Sequence, residues 1–268
     1  MTALFHTRTV TLLDLSGEQV DLNIADEVPV TLVFNGILPY GVMMMTPDHL
    51  EDFAFGYCLT ERIVASAQQI RSVSVSEGED GPTIDVSISG DRLAMLSRRR
   101  PRAQAGHSSC GICGSADVPS VEASGPAPFP AEPGIAPVAI RRALHDLDRW
   151  QDLNARTRMV HGAAWATMDG RILLIREDVG RHNALDKLIG ARMREGTLSE
   201  TGICLLTSRY SYEMALKTVR AGMATVVAVS APTGRALRLA EAMNQTLIAI
   251  ARHDRQFVFC GGQRLIGP

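Results

Sequence analysis

The segment best suited to chemistry is Cys110-Gly111-Ile112-Cys113-Gly114. Two thiols three residues apart can share one partner: each other, a metal ion, or a single sulfur atom in transit. Such a motif lowers a thiol pKa, and the thiolate is the reactive form. The approach to the pair is cationic. Arg92, Arg98, Arg99, Arg100, Arg102 and His107 lie between residues 92 and 109, with no Asp or Glu among them. That surrounding favours a thiolate and attracts an anionic substrate or partner. Three rival readings stay open. A zinc site wants four ligands, and Cys58, Cys204 and Cys260 are isolated in predicted helix or strand. A thioredoxin-like motif belongs at a helix start after a strand, whereas this pair lies in a long loop. Inert surface thiols are the third. The reading carried forward is a flexible loop that presents reactive sulfur.

A second cluster, Arg176-Glu177-Asp178-Val179-Gly180-Arg181-His182-Asn183, is predicted to follow a strand and open a helix. Helix N-termini suit phosphate, and Arg176, Arg181 and His182 add donors. In the bland alternative, Glu177 and Asp178 only favour the helix start and the arginines are solvated. Thr207-Ser208-Arg209 and Ser230-Ala231-Pro232-Thr233-Gly234 look like similar strand-to-helix junctions. Ligands of open α/β sheets bind beyond the carboxyl ends of strands, so three such turns on one edge make a plausible nucleotide cleft. Neither GxGxxG nor GxxxxGK[ST] is present. Arg252-His253-Asp254-Arg255 is a basic turn between the last two strands that could meet phosphate or be a plain hairpin loop. His161 is followed by Gly162-Ala163, so the His-x-Glu of the zinc deaminases is missing.

These groups must be held by elements of two kinds. The first hundred residues read as hairpins: strands over 9–15 and 19–24 around Ser16-Gly17, and strands over 28–34 and 38–45 around Asn35-Gly36, a strong hairpin signal. Thr46-Pro47 then suits a helix start, with Leu50, Phe53, Ala54, Tyr57 and Glu61 at helical spacing. Two alternating strands follow over 71–76 and 83–89. From Pro101 to Pro137, seven Pro, five Gly, five Ser and seven Ala in 37 residues predict a loop. After a helix over 138–154 come strands over 163–168 and 171–175 and a helix over 182–194. Apolar strands and helices then alternate: strand 203–207, helix 210–221, strand 225–229, helix 233–244, and strands 246–251 and 257–260. Continuously apolar strands argue for a sheet covered on both faces. The expected organisation is a β-rich part with one helix over 1–100, a flexible loop carrying CGIC over 101–137, and an α/β cofactor-binding domain over 138–268.

The 268 residues suffice for one large domain or two small ones. A net charge of −2 argues against coating nucleic acid, so any polyanion site must be a local patch. Apolar runs fall far short of a membrane span of about 20 residues, and the first residues lack the pattern of a signal peptide. With five cysteines, an odd number, the chain is expected to be soluble and cytoplasmic, with reduced thiols.

Thr46-Pro47-Asp48-His49, FGYCLTE from Phe55, CGICG, HGAA from His161, REDVGRHNALDKLIG from Arg176, TSRYSYEM from Thr207, SAPT from Ser230 and LIAIARHDR from Leu247 occur in this order. Together they resemble the formate dehydrogenase accessory sulfurtransferase family, FdhD, over nearly the whole chain. The resemblance implies an α/β fold: a three-layer cytidine-deaminase-like domain with a mixed sheet, not used for deamination, plus a smaller mostly-β part. It implies a sulfurtransferase that accepts persulfide sulfur from a cysteine desulfurase and delivers it to the molybdenum or tungsten bis(guanine dinucleotide) pterin cofactor before that cofactor enters formate dehydrogenase. Cys110 would carry the persulfide and Cys113 assist. Ile250, Ala251, Arg252, His253, Asp254 and Arg255 would contact the cofactor, bound as substrate through its guanine nucleotide part, with no tightly bound metal of the protein's own. Asp254 departs from a glycine common in the family. A homodimer is the implied assembly, since two guanine nucleotides must be held. The rival from another class is a non-catalytic chaperone that binds the nucleotide pterin and docks on formate dehydrogenase; a zinc-stapled regulator is a second.

Overall fold

The computed structural model describes residues 3–13, 17–98, 127–131 and 134–267. Cys110 and Cys113 lie outside the described residues. A two-stranded ribbon pairs β1 (Phe5–Thr11) with β2 (Gln19–Ala25). A four-stranded sheet follows, built from β3 (Val28–Phe34), β4 (Leu38–Met45), β5 (Ile70–Ser76) and β6 (Thr83–Ile88) in the order β4-β3-β6-β5. The Asn35-Gly36 hairpin forms as expected, with φ of 54° and 67°, the left-handed values such a turn needs. One face of this sheet is apolar by strict alternation: Val30, Leu32 and Phe34 on β3, Ile84, Val86 and Ile88 on β6. That face packs on α1 (Leu50–Thr60).

The six-stranded sheet runs β12-β11-β10-β9-β7-β8, from β7 (His161–Ala166), β8 (Ile172–Asp178), β9 (Ile203–Leu206), β10 (Thr225–Ala228), β11 (Thr246–Ala249) and β12 (Phe257–Cys260). β9, β10 and β11 are parallel and buried at every position. One face meets α3 (Pro137–Trp150) through Ala139, Ile140, Ala143, Leu144 and Leu147. The opposite face meets α5 (Arg181–Arg194), α6 (Tyr212–Arg220) and α7 (Gly234–Ala242), so the sheet is the middle of three layers. The core on that second side is continuous with the four-stranded sheet through α1.

Helices α1 and α5 touch backbone to backbone. A Cβ on Gly190 would sit 1.7 Å from the Asp52 carbonyl oxygen, and one on Gly56 would sit 1.8 Å from that of Asp186. Only glycine permits that approach.

Several elements differ from expectation. β1 starts at Phe5, upstream of the strand expected over 9–15. The α1 helix starts at Leu50, because the Thr46 hydroxyl accepts the Val179 N–H (3.1 Å) instead of capping its own helix. A helix, α2 (Gly90–Ser97), stands where none was expected. The helix expected over 138–154 breaks at Gln151, and a short α4 (Asp152–Thr157) follows. The end of the Pro/Gly/Ala-rich stretch is tied down. Phe129 N–H donates to the Met243 carbonyl (2.9 Å), buried Arg264 donates to the Pro130 carbonyl (3.0 Å), and Ile135 pairs with the segment at Leu265.

Gly190→Ala forces α1 and α5 apart and is expected to destabilise by about 3 kcal/mol or more. Gly196→Ala, past the end of α5 in open space, should cost less. Thermal unfolding of the two variants checks the ranking.

Candidate functional site

Pairing directions bring the carboxyl ends of β8, β9, β10 and β11 to one edge of the sheet, with the amino ends of β7 and β12. The residues there are His161, Asp178–Arg181, 207–211, 229–233 and 250–255. The three junctions and the basic turn singled out from the sequence therefore do share an edge, with His161 between two of them. Hydrogen bonds lace the neighbouring loops. The Thr207 hydroxyl accepts Gly162 N–H (2.8 Å), Tyr210 N–H reaches Ala231 O (3.2 Å), and Ile250 N–H reaches Ser230 O (3.2 Å).

The 250–255 segment is the connection from β11 to β12. The strand expected to run to Ala251 stops at Ala249, because Ile250 adopts φ 49°. A β-branched residue rarely takes that conformation, and such strain concentrates at functional sites. The bonds from Ile250 to Ser230 and from Ala251 N–H to Ala228 O (3.1 Å) hold it. Ala251 is buried, while Arg252, His253, Asp254 and Arg255 are exposed. The turn is closed by Arg252 N–H to Arg255 O (2.8 Å). His253 lies 3.7 Å from the Asp148 carboxylate and edge-on to His145. Two guanidinium groups free to meet solvent on a closed turn suit a phosphate.

The REDVGRHNALDK segment does something other than expected. Arg176, Glu177 and Asp178 belong to β8, so the strand runs three residues past the expected end at Ile175. The Arg176 guanidinium is held by the buried Asp52 carboxylate at 2.8 Å. Glu177 accepts the Leu153 and Asn154 N–H groups (2.8 and 2.9 Å), so it caps α4 rather than favouring its own downstream helix. Burial pushes its carboxyl pKa up. Asp178 is fully buried and binds Lys187 Nζ at 2.6 Å, also fully buried. It accepts N–H groups of Gly180 (2.7 Å) and Thr46 (3.2 Å) and the Asn183 amide (3.1 Å), while Lys187 donates to Thr46 O (2.9 Å). Burial pushes the Lys187 ammonium pKa down, opposed by the Asp178 charge. Sequence reasoning missed the role of Lys187, although a lysine inside an apolar helical stretch is its signal.

At the helix start, His182 Nε2 stands 2.9 Å from a Glu213 carboxylate oxygen, joining α5 to α6. Ser211 Oγ, just before α6, is buried without a hydrogen-bond partner. Burial first, then the charges of Arg181 and His182, push the His161 pKa below 6.5, with Asp178 opposing. Three described cysteines, Cys58, Cys204 and Cys260, are free thiols. Among the described residues no cluster of three or more His, Cys, Asp or Glu could hold a metal, and no helix is long and apolar enough to cross a membrane.

His161 should therefore be neutral near pH 7. Its folded pKa lies below the unfolded value of about 6.5, so stability tied to the neutral ring is complete above that pH. It is lost as pH falls through the window down to the folded value. NMR titration should show the His161 midpoint below 6.5, rising in Arg181→Gln.

The FdhD/NarQ family model matches residues 25–266. The sulfur carrier protein FdhD of Xanthomonas euvesicatoria pv. vesicatoria is 43% identical over 242 residues, covering 90% of this chain and 85% of that protein. The protein of the same name from Cupriavidus necator is 42% identical over 242 residues, covering 90% and 83%. The crystal structure of a candidate formate dehydrogenase accessory protein from Desulfotalea psychrophila superposes with a TM-score of 0.77 at 24% identity, covering 98% of this chain and all of that one, so the fold is shared. Matched from the second strand to the last turn, with close relatives over nine-tenths of its length, the chain belongs to the FdhD/NarQ family.

Proposed function

We propose that this protein is a sulfurtransferase serving formate dehydrogenase, in which Cys110 carries the transferred sulfur as a persulfide and Cys113 assists its release. The observation that supports it most is the state of the other thiols. Burial pushes the pKa of Cys204 up to about 12, and pushes those of Cys58 and Cys260 up as well, with Cys58 and Cys204 inside the core. None of the three is a useful nucleophile at neutral pH. The CGIC pair, with its cationic approach, is what remains in a chain of five cysteines.

In the loading step the Cys110 thiolate attacks the outer sulfur of a cysteine desulfurase persulfide. A Cys110 S–S bond forms, the donor's S–S bond breaks, and the donor leaves as thiolate. In release, the Cys113 thiolate attacks Cys110 Sγ, expelling hydrosulfide and leaving a Cys110–Cys113 disulfide. A cellular thiol reductant resets the pair. The two electrons of the sulfide come from the two cysteine thiols.

The acceptor in this reading is the molybdenum or tungsten bis(guanine dinucleotide) pterin, bound as substrate with its nucleotide phosphates at the sheet edge. Arg252 and Arg255 would supply donors to phosphate, with the amino ends of α5, α6 and α7 turned to the same edge. The strained Ile250 and buried Ala251 would set the turn's shape, and His253 and Asp254 would line it. The three-layer half would serve as a cytidine-deaminase-like scaffold without its hydrolytic chemistry, in a cytoplasmic homodimer.

In cells lacking this protein, formate dehydrogenase activity should return with the wild type and with Cys260→Ser, and stay at background with Cys110→Ala. Full restoration by a Cys110→Ser, Cys113→Ser double variant would overturn the reading in favour of a chaperone that only holds the pterin.

A further inference from the structure

Gly162 follows His161 on β7, and successive residues of a strand face opposite sides of the sheet. Gly162 shares its side with Ala164 and Ala166, which pack in the core under α3. A Cβ on Gly162 would stand 3.2 Å from Gln151 Oε1 and 3.4 Å from Ile175 Cδ1 and Thr207 Cγ2. Ala251 packs in the same core, so the chain leaves β11 toward α3. The 250–255 turn therefore meets the carboxyl end of that helix, where His253 Nε2 lies 3.7 Å from Asp148 Oδ2.

Two features of this helix end run against stability. Asp146 and Asp148 occupy the last turn of α3, where the helix dipole disfavours carboxylates. Asp146 has His145 at 3.1 Å and Arg149 at 3.8 Å. Asp148 is 76% exposed, and the His253 ring stands beyond hydrogen-bond reach of its Oδ2. The second feature is Gln151, 4% exposed. Its amide nitrogen donates to Asp148 Oδ1 at 3.3 Å, while its Oε1 is buried with no hydrogen-bond partner among the described residues. An unpaired buried acceptor is costly, and a residue kept in spite of it calls for a function. The bond this side chain does make is the one that orients Asp148.

A carboxylate has lone pairs enough to accept two parallel N–H donors while one oxygen also holds an amide. Guanine offers that pair on one edge, N1–H beside its N2 amine. Adenine has a bare N1 in place of the first donor, which would meet the carboxylate lone pair to lone pair. We propose that Asp148 selects guanine as the base of the nucleotide whose phosphates meet the 250–255 turn, and that Gln151 is the positioning residue that orients its carboxylate. The assignment rests on the reading of that turn as a phosphate site and adds to it the choice of base. Arg252 and Arg255 attract the phosphates of any nucleotide. Asp148 repels phosphate and accepts the base, which fixes the direction in which the nucleotide lies.

The probes are GDP, ADP and xanthosine diphosphate, titrated into the full chain by calorimetry. The wild type is expected to bind GDP about tenfold or more tighter than either of the others. Xanthine keeps N1–H but carries a carbonyl oxygen where guanine has its amine. Asp148→Asn exchanges one acceptor for a donor and should therefore reverse the order of GDP and xanthosine diphosphate. Gln151→Met keeps the bulk of the side chain and removes the unpaired oxygen; it should lower the preference for GDP over ADP without lowering the melting temperature. Equal binding of GDP and ADP by the wild type, or an Asp148→Asn variant that still prefers GDP, overturns the proposal. A Gln151→Met variant that keeps the full preference, or loses it only by melting earlier, overturns the part given to Gln151. An Arg252→Ala, Arg255→Ala double variant should weaken GDP and ADP to the same degree. If it does so while the wild type shows no preference, the choice of base alone falls; a wild type that binds no nucleotide overturns the phosphate reading as well.

Discussion

The structure depends on a charge pair placed where water cannot reach it. Asp178 ends β8, Lys187 lies two turns into α5, and both are fully buried. Each is also hydrogen-bonded to Thr46, just before the turn into α1, and Asp178 accepts from Gly180 and Asn183 besides. Removing one partner of such a pair leaves an uncompensated buried charge, at a cost of about 3–5 kcal/mol. The pair therefore fixes the N-terminal sheet and α1 against the edge of the six-stranded sheet where the carboxyl ends of β8 to β11 gather. A second buried pair, Lys217 with Asp186 at 2.8 Å, recruits the Thr60 hydroxyl and ties α1, α5 and α6 together. Between the two, the Gly56–Gly190 contact leaves no room for relative sliding.

That arrangement gives the most distinctive motif of the chain a structural part. Most of its polar groups are spent on the seam: Arg176 on Asp52, Glu177 on α4, Asp178 and Lys187 on Thr46. What the seam provides is a rigid edge. On it His161, the His182–Glu213 pair, the 207–211 loop and the strained 250–255 turn are held in fixed relation. A basic turn on a rigid edge positions an anion better than the same residues on a loose loop.

The elements most legible in the sequence were those whose signal is local. The apolar runs of β9, β10 and β11 read as a doubly covered sheet, and Asn35-Gly36 read as a hairpin. Several misplacements arise from partners far along the chain. Thr46 looks like a helix cap but bonds Val179, 133 residues away. The charged Arg176–Asp178 stretch looks like a loop but continues β8, because Asp52 and the α4 amides neutralise it. Ile250 looks like strand and instead turns at positive φ, a strain no local pattern announces. The gathering of the three junctions and the basic turn on one edge was legible, because parallel strands share a carboxyl end.

The central claim, that a sulfur atom rides on the first cysteine of the CGIC pair, is tested most directly by intact-protein mass spectrometry after incubation with a cysteine desulfurase and cysteine. The account predicts an adduct of one sulfur atom, removable by dithiothreitol, on the wild type and on Cys113→Ala but not on Cys110→Ala. An adduct that persists in Cys110→Ala, or none on the wild type, would contradict it.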